Sequence, residues 1–306
     1  MRTLRLGSTG SDVAAWQKFL TAQKCKPGAA DGIFGSGAEQ ATRLFQQSQD
    51  LDADGVVGPG TLQAATALGF KTPSGGANAS GDNAIDTIGG TLIYQTADGS
   101  ALYFTGKMDV DADGSPHAYN SSNTGLDSNK NGKDQNGNWV GILTSLGGTP
   151  LKQGPDDPAP GYYISTTSLQ DTTRPKSDPL RYVDSEKVPY IVLPGGHLGN
   201  ATLGDYAVVI NLANDKRISA IAADSGPRHK VGEVSIAVAK ALLGKAGSSP
   251  RTGGTDSGIR YVVFPNSGND FFPASNDDAT LGSTLAAIDA ATAPLIASAG
   301  AQSAFA

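Results

Sequence analysis

The chain has 306 residues, a formal net charge of −6 and a pI near 5.0, long enough for one large domain or two smaller ones. Forty glycines, 17 prolines, 17% charged and 38% hydrophobic residues suit a loop-rich globular protein better than a helical bundle, and glycines without a period of three exclude collagen. No apolar run approaches the roughly 18 to 20 residues of a membrane span, and the acidic balance argues against nucleic acid as a partner.

The N-terminus, MRTLRLGSTGSDV, has basic residues but lacks the apolar core of about 7 to 15 residues that a secretory signal needs, so the general secretory route is not expected. Val13, Trp16, Phe19 and Leu20 share one face of a helix expected over about Asp12 to Gln23. Asp31 and Asp54 each open a copy of DGxxGxGxxQA, 23 positions apart, which marks residues 1–70 as a small duplicated unit. Each copy reads as a glycine turn leading into a helix. Ser36 with Glu39 forms an expected capping box, and Pro59 precedes a helix opened by Thr61. Trp16, Phe19, Phe34, Leu44 and Phe45 make the core of a three-helix domain of about the smallest size that folds alone. Cys25, the only cysteine, allows neither an internal disulfide nor a thiolate metal site. LRLGSTGSDVAAWQKFL followed by DGIFG and DGVVGPGT resembles the peptidoglycan-binding domain of bacterial wall hydrolases. The DGxxG loops are then the expected glycan contacts, with Trp16 in the core.

Residues 71–87, KTPSGGANASGDNAIDT, read as a flexible linker. Beyond it the period changes to two, and strands are expected at Thr91–Tyr94, Tyr103–Phe104, Tyr190–Leu193, Tyr206–Ile210, Ile218–Ala223 and Tyr261–Phe264. One helix is expected over about Val234 to Leu243. The expected fold is therefore a small all-α N-terminal domain plus a mainly β (α+β) second domain over 88–275, a barrel or sandwich with a crossover helix. Residues 276–306 read as an Ala-rich, weakly helical tail interrupted by Pro294.

Elimination narrows the chemistry. The one cysteine lies in the helical domain, away from any partner histidine; His117, His197 and His229 form no HxxE or HxxxH pair for zinc; no GxSxG elbow is present. Carboxylates remain. In Ile218–Lys240 an apolar strand ends in Asp224, a Gly-Pro loop follows, and an expected helix opens at Glu233, so two acids can face one cleft as in glycoside hydrolysis. The bland alternative is that Glu233 complements its helix N-terminus and Asp224 makes an Asx turn. Asp109-x-Asp111-x-Asp113-Gly opens like a calcium loop but has Asn120 where an EF-hand has Glu, and Asp127-x-Asn129-x-Asn131 is a second degenerate copy. No cofactor and no metal is expected. Tyr119, Trp139, Tyr162 and Tyr163 lie in loops and could stack on sugars or sit in the core.

DVDADGSPHAY (109–119), VPYIVLP, LGDYAVV, IAADSGP, VGEVS and YVVFP resemble, in order, the chitosanases of glycoside hydrolase family 75. That resemblance implies a six-stranded double-psi β-barrel and internal, inverting hydrolysis of β-1,4 bonds in an amino-sugar polymer. It implies Asp224 and Glu233 as the catalytic pair, about 6.5 to 9.5 Å apart with a water between. Asp109 and Asp111 would line the subsites, and Tyr119, Trp139 and Asp205 (in LGDYAVV) join them as substrate-binding candidates. Glu233 at a helix N-terminus favours the base and Asp224 behind an apolar strand the acid, an order that Arg228 or Lys230 beside either residue would invert.

The expected partner is a glycan polymer, chitosan or peptidoglycan, cleaved by a monomer acting outside the cytoplasm after lysis or non-classical export. As a peptidoglycan-degrading antibacterial effector the protein would also meet an immunity protein; as a non-catalytic wall binder it would release no reducing ends and be indifferent to Glu233→Gln.

Overall fold

A computed structural model of the protein describes residues 4–8, 11–70, 82–268, 278–298 and 304–305. The chain divides into two compact units, Met1–Gly81 and Asp82–Ala306. Most of the expected linker lies outside the described residues, while its last residues belong to a strand of the second unit.

The first unit holds three helices, α1 (Ser11–Ala22), α2 (Ser36–Ser48) and α3 (Pro59–Ala67). Trp16, Leu20, Phe34 and Phe45 are fully buried, and the Trp16 indole N–H donates to Thr42 Oγ1 at 2.9 Å. The duplication has a structural cause. Gln17 Nε2 donates to Asp31 Oδ1 (2.9 Å) and to the Ile33 carbonyl (3.0 Å), while Gly32 N donates to Gln17 Oε1 (2.9 Å). Gln46 repeats all three bonds on Asp54, Val56 and Gly55 at 2.7, 2.9 and 2.9 Å. Each DGxxG turn is thus clamped by one helix glutamine, and Gly32 and Gly55 adopt positive φ (77° and 75°) that favours glycine. Helix α3 opens at Pro59, behind the N-cap Gly58, and not at Thr61; two further expectations fail. Ser36 is the first helical residue, behind an N-cap Gly35 that supplies no side-chain bond, and Glu39 instead pairs with Arg43 at 2.9 Å. Leu44 is 50% exposed, because Ala41 and Phe45 already fill the inward face of α2.

The second unit is a β structure of β1 (Asn83–Ile88), β2 (Thr91–Gln95), β3 (Leu102–Asp111), β4 (Tyr190–Pro194), β5 (His197–Leu198), β6 (Ala201–Thr202), β7 (Tyr206–Asn211), β8 (Lys216–Gly226), β9 (Glu233–Ser235) and β10 (Thr255–Val263), with α4 (Ile236–Gly247) and α5 (Asp278–Ala297). Strands β3, β10, β7, β8, β4 and β9 pair in that order, and β9 returns to β3, closing a six-stranded barrel. β3–β9 and β4–β8 are parallel and the other neighbours antiparallel. Every residue of β4 and β7 is buried, because alternate side chains feed two cores. Ile191, Leu193, Ala207 and Val209 meet Val238 and Leu242 of α4, whereas Tyr190, Val192, Tyr206 and Val208 join the core that includes Ile288 of α5.

The expected strands are present; β1, β5, β6 and β9 are additions. Glu233 lies on β9 rather than at a helix start: the N-cap of α4 is Ser235, whose Oγ accepts from Val238 N at 3.3 Å. The C-terminal stretch is a 20-residue helix that runs through Pro294 and docks on the barrel, where Thr292 Oγ1 donates to Ser219 Oγ at 2.7 Å.

Candidate active site

Barrel closure places the acids together. In the parallel β3–β9 pair Asp109 lies opposite Glu233 and Asp111 opposite Ser235, and Val234 also pairs with Ile191 of β4. Next on the ring, β4 pairs with β8 through an irregularity: Ile191 faces Ala222 but Val192 faces Asp224, leaving Ala223 as the extra residue of a bulge that re-aims Asp224. A Cβ placed on Gly226, two positions on, would lie 3.0 Å from Val192 Cγ1 and 3.3 Å from Glu233 Oε2. The DSG segment and Glu233 therefore abut, and glycine makes room for the carboxylate.

The two acids differ in surroundings. Asp224 is 7% exposed, and its Oδ1 accepts from Ser168 N (2.8 Å), Ser168 Oγ (2.7 Å) and Ser225 N (2.8 Å). Burial outweighs these donors, and with a further push from the Glu233 charge the pKa rises to about 6. Glu233 is partly exposed and accepts at Oε1 from Lys230 Nζ at 2.8 Å. Lys230 also reaches Asp109 Oδ2 at 3.1 Å, which Lys107 Nζ contacts at 2.5 Å. Burial alone would lower the Lys230 pKa, but the two carboxylates outweigh it and hold the ammonium charged above its usual range. For Asp109 the balance runs the same way: burial would raise it, and the two lysines hold it below the ordinary carboxylate value. Lys230, one of the two cations expected near the pair, therefore stands between Glu233 and Asp109.

Two more carboxyls complete the cluster. Asp111 Oδ2 lies 3.2 Å from the Tyr190 hydroxyl, which also donates to the Asp113 carbonyl at 2.9 Å, and Asp113 Oδ1 accepts from Tyr119 Oη at 2.8 Å. Burial first, and the neighbouring acids second, push both pKa values well above the ordinary value. Asp111, Asp113 and Asp224 each bring one oxygen within 4.8 Å of the others, so these are the side chains that could share protons or hold a cation. Among the described residues no histidine joins such a group. The second acidic loop is filled differently: the Arg251 guanidinium takes the carbonyls of Asn123 (2.8 Å), Gly125 (3.2 Å) and Asp127 (2.8 Å).

Of the five substrate-binding candidates, Asp109 and Asp111 stand beside the pair. Tyr119 does not offer a face to sugar: it is 1% exposed, and its hydroxyl is spent on Asp113. Asp205 is 2% exposed, with Oδ2 accepting from Thr202 N (2.9 Å) and Oδ1 from Gly268 N (2.8 Å), so it ties two loops together. Trp139 is half-buried against Tyr163, ring centroids 5.6 Å apart, under the Lys133 ammonium at 4.2 Å. Sequence reasoning missed Ser168 and Tyr190 as site residues, which only long-range closure brings in.

A search of curated proteins gave no match. Among solved structures the chain is similar to the SleB N-terminal domain (33% identity, 22% of this chain and 92% of that one, TM-score 0.22) and to a Burkholderia AP3 phage endolysin (39% identity, 24% and 27%, TM-score 0.21). A fused Zn-dependent amidase/peptidase/peptidoglycan-binding domain-containing protein from Clostridium acetobutylicum is also similar (22% identity, 34% and 55%, TM-score 0.19). The peptidoglycan binding domain family matches residues 9–65, the helical unit. The family described as fungal chitosanase of glycosyl hydrolase group 75 matches residues 108–296, a stretch holding every carboxyl of the cluster, and the chain belongs to that family of glycoside hydrolases.

Proposed function

We propose that the protein is an endo-acting, inverting hydrolase of β-1,4 bonds in an amino-sugar wall polymer, acting outside the cytoplasm, with Asp224 as general acid and Glu233 as general base. The observation that carries the reading is the contrast between two carboxyls of one cluster: Asp224 desolvated, with a pKa near 6, and Glu233 facing a charged lysine. Environments that separate two acids in this way divide the labour of glycoside hydrolysis. Asp224 protonates the leaving oxygen; Glu233 takes a proton from the attacking water. Asp109 and Asp111 line the cleft beside them, and a crowd of carboxyls suits the cationic glucosamine units of chitosan.

A second substrate, peptidoglycan, is favoured by the helical unit, whose family match is to a wall-binding domain. The test is reducing-end release from chitosan and from sacculi in parallel, with Glu233→Gln and Asp224→Asn as controls and the anomer of the first product read by NMR. Release from chitosan, silence in both variants and an inverted anomer are expected. Release from sacculi alone assigns the peptidoglycan substrate, and full activity of either variant overturns the catalytic pair. Because Asp224 acts protonated, activity should fall as pH rises through about 6, with any further limb set by the base.

A further inference from the structure

The three donors on Asp224 all converge on one of its two oxygens. Ser168 supplies two of them, from N at 2.8 Å and Oγ at 2.7 Å, and Ser225 N the third at 2.8 Å. Oδ2 accepts no hydrogen bond among the described residues, yet it is not one of the buried polar atoms sealed without a partner. Ser168 is itself fastened on both sides: Leu169 N donates to the Ala223 carbonyl at 2.8 Å, while Thr167 Oγ1 accepts from Val183 N at 2.9 Å and donates to the Leu169 carbonyl at 2.7 Å. Its position is thus set by the strand carrying Asp224 and by the segment after Tyr182, not by the cleft.

An oxygen already accepting three hydrogen bonds has no lone pair left for a proton, since a carboxylate oxygen offers about two good acceptor directions. We propose that Ser168 is a positioning residue that divides the Asp224 carboxyl into a fixed acceptor, Oδ1, and a proton carrier, Oδ2, which hands its proton to the glycosidic oxygen. This rests on the reading of Asp224 as general acid. The balance is simple: the Oδ2–H bond breaks as the proton passes to the leaving oxygen, the C–O bond of the sugar breaks, and water activated by Glu233 completes the product. The ionised Asp224 left behind is the form that the three donors stabilise, so Ser168 helps the acid to release its proton.

The test compares wild type, Ser168→Ala and Ser168→Thr, which keeps a hydroxyl, with Asp224→Asn as reference. Two readouts are used: the pH profile of kcat and KM on the polymer that wild type cleaves, and a 13C-carboxyl NMR titration of Asp224, assigned by its loss in Asp224→Asn. For Ser168→Ala we expect kcat down about tenfold with KM nearly unchanged, the basic limb and the Asp224 titration both moved up by about one pH unit, and partial return of all three in Ser168→Thr. An unmoved titration in a Ser168→Ala variant that unfolds at the wild-type temperature overturns the proposal. So does a moved acidic limb with a fixed basic one. Activity retained by Asp224→Asn overturns instead the acid assignment on which the proposal stands, and the NMR shift reads the Ser168 contact independently of turnover.

Discussion

Asp224 has a pKa near 6 against 3.8 for the ordinary side chain because burial outweighs its donors, and that shift is also a statement about stability. A carboxyl whose folded-state pKa is raised binds its proton more tightly in the native state. Its contribution is therefore fully present below pH 4 and is lost as pH rises through about 6. Asp184, buried and pushed up to about 7, acts in the same direction. Asp224→Asn, a neutral isostere that still offers an oxygen to the three donors, should lack hydrolysis yet unfold at higher denaturant than wild type at pH 7. The gain is bounded by roughly 3 kcal/mol, about two pKa units at 1.36 kcal/mol each, and should vanish near pH 4; equal stabilities at pH 7 would count against the buried charge. Lys230 is the complementary case. Lys230→Met removes the ammonium shared by Glu233 and Asp109, and kcat/KM should drop at least about tenfold in a protein of unchanged circular dichroism, with Lys230→Arg recovering part of it. Asp224 and Glu233 could be singled out because both stand within one short segment, although spacing alone left an Asx turn and a helix terminus open and only the family resemblance favoured them as a pair. Ser168 was not, since it lies 56 positions from Asp224 and no spacing rule reaches across the barrel.

Secondary structure was legible where length gives a period room to show. The runs YIVL and YAVVI became β4 and β7, buried on both faces, and Val13, Trp16, Phe19 and Leu20 share the buried face of α1. β9 has three residues, too few for any period, and exists because β3 and β4 both pair with it; Glu233 was assigned to a helix for that reason. Leu44 shows the opposite failure, an apolar residue at helical spacing left in solvent by a narrow helix face. Most informative is the DGxxG repeat, whose aspartates are exposed yet hydrogen-bonded within their own turns. Gln46 ties Asp54, Gly55 and Val56 to α2, so Gln46→Ala leaves the Gly55 N–H without its acceptor and should cost about 1 to 3 kcal/mol in the unfolding transition of the helical unit. Urea titration of the whole chain, followed by Trp16 emission in a Trp139→Phe background, reads that transition. An unchanged midpoint would show that solvent replaces the clamp without loss. In both turns the aspartate Oδ1 holds the clamp, and Ile33 beside the first is 55% exposed.

At the scale of the whole molecule, two units with separate cores and separate family matches share one chain, and no described helix is long and apolar enough to cross a membrane. The carboxyls of the site all belong to the second unit, whose barrel closes without any strand from the first. Cleavage of a soluble chain should then be a property of the barrel alone, whereas attack on an insoluble polymer should gain from an anchor that raises local enzyme concentration. Removing residues 1–70 is therefore expected to leave kcat/KM on soluble oligomers within about twofold, since no cluster residue or barrel strand is lost. The same truncation should abolish co-sedimentation with sacculi and reduce release from an insoluble substrate about tenfold or more. The two readouts separate the roles. Loss of soluble activity would mean that the helical unit contributes to the catalytic cleft, and undiminished co-sedimentation would place the wall contact on the barrel itself. An added soluble helical unit should not restore the insoluble activity, because the gain depends on the covalent tether and not on occupancy of the polymer.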